Sequence, residues 1–160
     1  MKVLVLYFSK GGNTKRLAQA IAKGVEGVDG TTALLKRTDE VSEADFLGSE
    51  GVIAGSPVYF GVMAAELKKI FDDFIGTRKR MEGKVAAAFA TSGDLSGGKE
   101  TTMMSIIQVF LIYGMVVVGD PMSATGHYGV SCVGDPDEIT QENGEKLGRR
   151  VAETAKKLRG

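Results

Sequence analysis

The run Val3-Leu4-Val5-Leu6-Tyr7-Phe8, broken off by Ser9-Lys10-Gly11-Gly12-Asn13-Thr14, constrains this chain more than any other stretch. An apolar run without alternation describes a strand buried on both faces, the setting of a central parallel strand. A helical pattern begins directly after the glycines, with Leu17, Ala18, Ile21, Ala22 and Val25 on one face. Strand, polar glycine loop and helix start aim backbone N–H groups and the positive helix end at one point, where an anion is favoured. Ser9, Asn13 and Thr14 add side-chain donors, and the glycines allow close backbone approach. A phosphate suits that setting. The same residues also make good turn and N-cap chemistry with no ligand, so two readings stand. The spacing matches neither G-x-x-x-x-G-K-[ST] nor G-x-G-x-x-G, which argues against the nucleoside triphosphate and dinucleotide loops of those types.

Four further strand-like segments follow. Ala33-Leu34-Leu35 is a short second strand, ended by Lys36 to Asp39. Glu43-Ala44-Asp45 lies in a polar link of at most one helical turn. Gly51 to Gly55 is the third strand, and a loop from Ser56 to Met63 follows it; Pro57 biases Ser56 toward extended backbone. Leu67, Ile70, Phe71 and Phe74 then recur at helical spacing up to Gly76. Lys84 to Ala90 is the fourth strand, followed by a second glycine-rich loop, Thr91 to Gly98. Met103, Ile106, Ile107, Phe110 and Leu111 mark the next helix, stopped by Gly114. Met115 to Gly119 is the fifth strand, Asp120 to Glu138 reads as irregular, and Leu147, Val151, Ala155 and Leu158 lie along a last helix.

Strands alternating with helices predict an α/β protein, a parallel sheet covered on both faces by right-handed crossovers. With 160 residues, one domain over 1–160 is expected. No apolar run approaches a membrane span, and the chain begins as a strand rather than a signal peptide. Lys plus Arg equals Asp plus Glu at 20 each, so no global field points to nucleic acid or a membrane surface. Cys132 is the lone cysteine, which excludes an internal disulfide and fits a cytoplasmic setting. No metal-ligand cluster is expected.

In a parallel sheet the ligand lies beyond the carboxyl ends of the strands, where Ser9–Thr14, Ser56–Met63 and Thr91–Gly98 meet. The first loop offers phosphate donors. The second offers Tyr59 and Phe60, either packing on a flat ring or, for Phe60, tucked into the core. The third, with few large side chains, suits backbone amides facing an electron-rich edge, or serves as a plain hinge.

Ser-x-x-Gly-Asn-Thr after the first strand resembles the phosphate loop of the flavodoxin superfamily. Gly55-Ser56-Pro57-Val58-Tyr59-Phe60-Gly61, Met63-Ala64-Ala65, Ser92-Gly93 with Gly97-Gly98, Glu100-Thr101, Tyr113-Gly114-Met115-Val116-Val117 and Tyr128-Gly129-Val130 resemble the WrbA-type NAD(P)H:quinone oxidoreductases over nearly the whole chain. The resemblance implies a flavodoxin-like three-layer sandwich with a five-stranded parallel sheet of order 2-1-3-4-5. It implies FMN as cofactor and NAD(P)H as reductant. Ser9, Lys10, Gly11, Gly12, Asn13 and Thr14 would then hold the FMN phosphate. Pro57, Val58, Tyr59, Phe60, Gly61 and Val62 would lie along the isoalloxazine, with amides around Gly61 and Val62 at its N5 and O4 edge. Thr91, Ser92, Gly93, Asp94, Gly97 and Gly98 would wrap the other edge.

Two departures from that family stand out. Tyr113 replaces a His that those enzymes carry before the Gly-Met of the fifth strand, and the chain lacks the longer, Trp-bearing excursion after strand four. Tyr113 and the sole histidine, His127, are the candidate catalytic side chains: His127 is a proton donor or a solvated loop residue. Cys132 is a small buried apolar group or a redox thiol. Arg78-Lys79-Arg80 is a solvated helix end or a contact for an NADPH phosphate. Two functions fit: an FMN enzyme passing electrons from NAD(P)H to a quinone-like small-molecule acceptor, or a flavodoxin carrying electrons to a redox partner protein. Apolar loops at the active face make a homo-oligomer an expected partner.

Overall fold

The computed structural model describes residues 1–160. In chain order it contains β1 (Lys2–Tyr7), α1 (Asn13–Glu26), β2 (Thr32–Arg37), α2 (Glu43–Leu47), β3 (Gly51–Pro57), α3 (Ala65–Asp73), a 3-10 turn (Ile75–Thr77), α4 (Arg78–Met81), β4 (Val85–Ser92), α5 (Lys99–Ile112), β5 (Val116–Val117), β6 (Gly129–Val133) and α6 (Glu138–Arg159). Every strand pairing is parallel, and the order is β2-β1-β3-β4-β5, with β6 also paired to β4.

Pleating explains the layers. In β1 the odd residues Val3, Val5 and Tyr7 face α1 and α6; the even residues Leu4 and Leu6 face α2, α3 and α5. The two resulting cores flank one sheet. The inner strands β1, β3 and β4 are almost wholly buried, as unbroken apolar runs require. The polar link becomes a real helix turn because Ser42 and Asp45 form a reciprocal capping box: the Asp45 amide donates to Ser42 Oγ at 3.1 Å and the Ser42 amide to Asp45 Oδ2 at 3.0 Å.

The fifth strand differs from the sequence expectation. Instead of a continuous Met115–Gly119, two strands share the fifth position. β5 pairs with Val85 and Ala86 at the start of β4, and β6 pairs with Ala88 to Ser92 along the rest. Residues 118–128 bulge out between them. β6 lies inside the segment expected to be irregular. Asp120 closes the bulge by accepting from the Gly126 amide at 2.8 Å, and Asn143 ties it to α6 through Thr125 at 2.9 Å.

Candidate functional site

The carboxyl ends of β1, β3 and β4 deliver the three expected loops to one groove. It has a volume of about 190 Å³ and is lined by residues of all three, among them Ser9, Asn13, Thr14, Val58, Tyr59 and Thr91. Lys10, Gly11, Pro57, Ser92 and Gly93 complete the expected part of its wall. Gly12, Phe60, Gly61, Val62, Asp94, Gly97 and Gly98 belong to the same loops but stand back from the groove surface. A larger depression of about 530 Å³ lies at the opposite end of the sheet, between Ile75, Arg78 and Ile112; size alone does not mark this site.

The first loop is built as an anion cradle. Gly12 caps α1 at φ +96°, a backbone shape glycine adopts freely. Its amide donates to Ser9 Oγ at 3.1 Å, which fixes the loop and leaves the Ser9 proton free to donate. The amides of Lys10, Gly11, Asn13, Thr14 and Lys15 have no hydrogen-bond partner within the chain, as the first turn of a helix leaves them. They suit a phosphate in number and in charge preference. Thr14 Oγ1 lies 2.8 Å from Thr91 Oγ1, joining the first loop to the end of β4.

The second loop turns tightly. Tyr59 and Val62 pair across it, with their amides and carbonyls exchanging 3.1 Å bonds. Phe60 and Gly61 at its tip both have positive φ, +52° and +79°. Phe60 is fully exposed, so it does not enter the core. The Val62 amide is engaged in the turn, which leaves the Gly61 amide, not that of Val62, free for an edge contact. Tyr59 meets Phe8 edge-on, with ring centroids 6.3 Å apart. The loop is braced from below: the Ala64 amide donates to Ser56 Oγ at 2.8 Å and the Met63 amide to Ser105 Oγ at 3.1 Å.

In the third loop Thr91 and Ser92 still belong to β4, and the amides of Gly93 and Asp94 are unpaired. Gly98, at φ +94°, comes so close to the second loop that a Cβ there would sit 3.1 Å from Gly61 Cα. Sequence reasoning missed one wall of the groove, Gly134, together with Asp135, which pairs with Arg16 of α1. The available signal was short: Val130 and Val133 flank Ser131-Cys132 ahead of the turn residues Gly134-Asp135-Pro136.

Three other expectations are relocated. Tyr113 follows the C-terminus of α5, whose N-terminus is capped by Gly98 at the site, so about 21 Å of helix separates it from the groove. It is buried, donates its hydroxyl to the Phe71 carbonyl at 2.7 Å, and burial pushes its pKa up to about 12; it cannot reach a ligand in the groove. His127 is exposed two residues ahead of β6, roughly 20 Å along the strand from the site end. Arg78 is held by the Ile112 carbonyl at the far end of the sheet, with Lys79 and Arg80 beside it. Cys132 is buried, and burial first, then Asp137 and Asp135, raise its thiol to about 11, the profile of a packing residue rather than a reactive thiol. No cluster of potential metal ligands occurs, and no helix is long and apolar enough to cross a membrane.

Strand order, layer arrangement and a loop cluster at the switch between β1 and β3 define a flavodoxin-like α/β protein. The fold is that of the flavodoxin, WrbA-like protein from Agrobacterium tumefaciens, with a TM-score of 0.82 at 24% identity over 98% of both chains. The family model for NADPH-dependent FMN reductase matches residues 38–129, more than half the chain, and the protein belongs to that flavodoxin-like oxidoreductase family. A protein named flavodoxin from Aquifex aeolicus (strain VF5) is 38% identical over 158 aligned residues, 95% of this chain and 85% of its own. One named NAD(P)H dehydrogenase (quinone) from Archaeoglobus fulgidus is 33% identical over 190 aligned positions, covering 98% of each. That second alignment is longer than this chain, so the relative carries segments that are missing here.

Proposed function

We propose that the chain, read as one domain over residues 1–160, binds FMN across the three loops and works as an oxidoreductase that moves electrons from NAD(P)H to a quinone-like acceptor. The observation that carries this is the set of unpaired amides of Lys10, Gly11, Asn13, Thr14 and Lys15 beside the Thr14–Thr91 hydroxyl pair. That donor set fits a phosphate ester and has no other task in the fold.

FMN, when bound, would supply the hydride and electron chemistry. The chain's own residues would then bind and orient. Ser9, Asn13 and Thr14 would hold the phosphate with the loop amides. Tyr59 and the exposed Phe60 offer aromatic faces to the ring. The free amides of Gly61, Gly93 and Asp94 would favour negative charge developing at the ring edge.

The second reading, a carrier delivering electrons to a redox protein, is favoured by one observation. The alignment with the flavodoxin relative spans 158 positions, within the length of this chain, whereas the alignment with the quinone dehydrogenase spans 190 and includes segments that are missing here. Anaerobic mixing of the FMN-loaded protein with NADH or NADPH separates the two. Complete loss of the flavin absorbance with one equivalent of nicotinamide supports the enzyme. No reaction with either nucleotide, together with dithionite reduction in two resolved one-electron stages, supports the carrier.

A second copy of this chain is the partner that α5 suits. The helix is apolar around its circumference, and Met104, Leu111 and Ile112 remain exposed. Light scattering of the purified protein tests it: a monomer mass at micromolar concentration rejects self-association.

A further inference from the structure

We infer that the crease between α6 and the 118–128 bulge is a second anion site, one that takes a small diphosphate-bearing molecule and is separate from the phosphate loop. The crease has a volume of about 390 Å³, and no apolar side chain larger than proline lines it. Lys146, Arg149, Arg150 and Lys157 project along one stripe of α6, spaced as successive turns of a helix place them. Glu153 is the only carboxylate in the wall and pairs with none of them.

The positive charge there is only partly compensated. Lys146 pairs with Glu142 at 2.9 Å and also reaches the Ser123 carbonyl at 3.1 Å, which seats the bulge on the helix. Arg149, Arg150 and Lys157 form no ion pair and no side-chain hydrogen bond. Arg150 Nε is buried without any partner, a costly state for a cationic donor unless an acceptor completes it. The chain as a whole is neutral, with 20 cations and 20 carboxylates, so the excess is local. The helix dipole accounts for cations in the last turn of α6, Lys156 to Arg159, but not for Arg149 and Arg150 two turns earlier.

Paired guanidinium groups and a lysine in one concave wall are the donor chemistry that recognises phosphate oxygens, Arg by its planar fork and Lys as a point charge. The wall offers nothing to an apolar ligand. Diphosphate, with two adjacent charged groups, matches a stripe of cations better than a single phosphate does. This assignment stands on α6 and the bulge alone and does not depend on what occupies the groove at the strand ends.

The test is calorimetric titration of the purified full chain with inorganic pyrophosphate at constant ionic strength. Two double variants are compared, Arg150→Gln with Lys157→Gln and Ser9→Ala with Thr14→Val. One-to-one binding that is weakened about ten-fold or more in the first variant and unchanged in the second supports the site. No binding, binding that the α6 substitutions leave unaltered, or loss only in the Ser9 and Thr14 variant overturns it. Should substitution of the half-buried Arg150 prevent folding, Arg149→Gln with Lys157→Gln, both at exposed positions, carries the same expectation. Phosphatidylglycerol vesicles distinguish the source of the phosphate: co-sedimentation with vesicles and no heat with pyrophosphate overturns the small-molecule assignment.

Discussion

Thr14 Oγ1 and Thr91 Oγ1 meet at 2.8 Å, buried, linking residues 77 positions apart at the ends of adjacent elements. A hydroxyl pair has one proton in the shared bond and one left over. If Thr91 donates to Thr14, the Thr14 proton points at the first loop. Thr91→Val removes that arrangement while keeping the shape. FMN affinity is expected to fall about ten-fold, with riboflavin affinity unchanged, because a charge-assisted bond to the phosphate is weakened. Fluorescence titration with both ligands checks it. An equal loss for both would place Thr91 at the ring and not at the phosphate end.

Phe60 occupies left-handed backbone at φ +52°, which costs a non-glycine residue about 1–2 kcal/mol. Its ring contributes no core packing in return, being fully exposed. Asn tolerates this conformation better. Phe60→Asn is therefore expected to raise unfolding stability by up to about 1 kcal/mol in urea and to weaken FMN binding. A variant that loses stability, or binds FMN as before, contradicts the idea that the ring is held out for a ligand.

Helices α1 and α6 touch at glycine. A Cβ on Gly148 would lie 2.0 Å from the Ile21 carbonyl oxygen, and one on Gly24 would lie 2.0 Å from that of Glu145. Both obstacles are backbone and can move only if the helices separate. Gly148→Ala is expected to destabilise the fold by about 1–3 kcal/mol, read as a lower urea midpoint. A neutral result would mean that the two helices pack less closely than described.

These glycines, the split fifth strand and Tyr113 mark where the sequence was hard to read. β1, β3 and β4 were legible because buried parallel strands carry unbroken apolar runs, and the loops after them were legible through glycine, proline and hydroxyl residues. β6 was not: it begins at a glycine, spans only Gly129–Val133 and lies on an edge, so its pattern is short and half polar. Tyr113 was misplaced because it was read from the position of a family histidine, and nothing in the sequence shows that its side chain turns into the core to meet the Phe71 carbonyl. Arg16 and Asp135 were invisible as a pair because 119 residues separate them.

Tyr113 supplies a pH prediction. Its folded-state pKa is raised to about 12 by burial, against an ordinary value near 10. The unfolded chain therefore releases this proton first. The stabilisation is complete below about pH 10 and is lost as pH rises toward about 12. Tyr113→Phe costs about 1–2 kcal/mol at neutral pH, by leaving the Phe71 carbonyl unpaired, and flattens the alkaline fall. Urea unfolding of both proteins from pH 8 to 11 measures the difference. Parallel curves across that range would exclude Tyr113 as a contributor.

The account rests on a phosphate-anchored flavin, and paired binding constants for FMN and riboflavin test it most directly. The wild-type protein is expected to bind one FMN per chain about a hundred-fold more tightly than riboflavin, since two or more charge-assisted donors contact only the phosphate. Equal affinity for the two, or no saturable binding of either, would contradict the site described here.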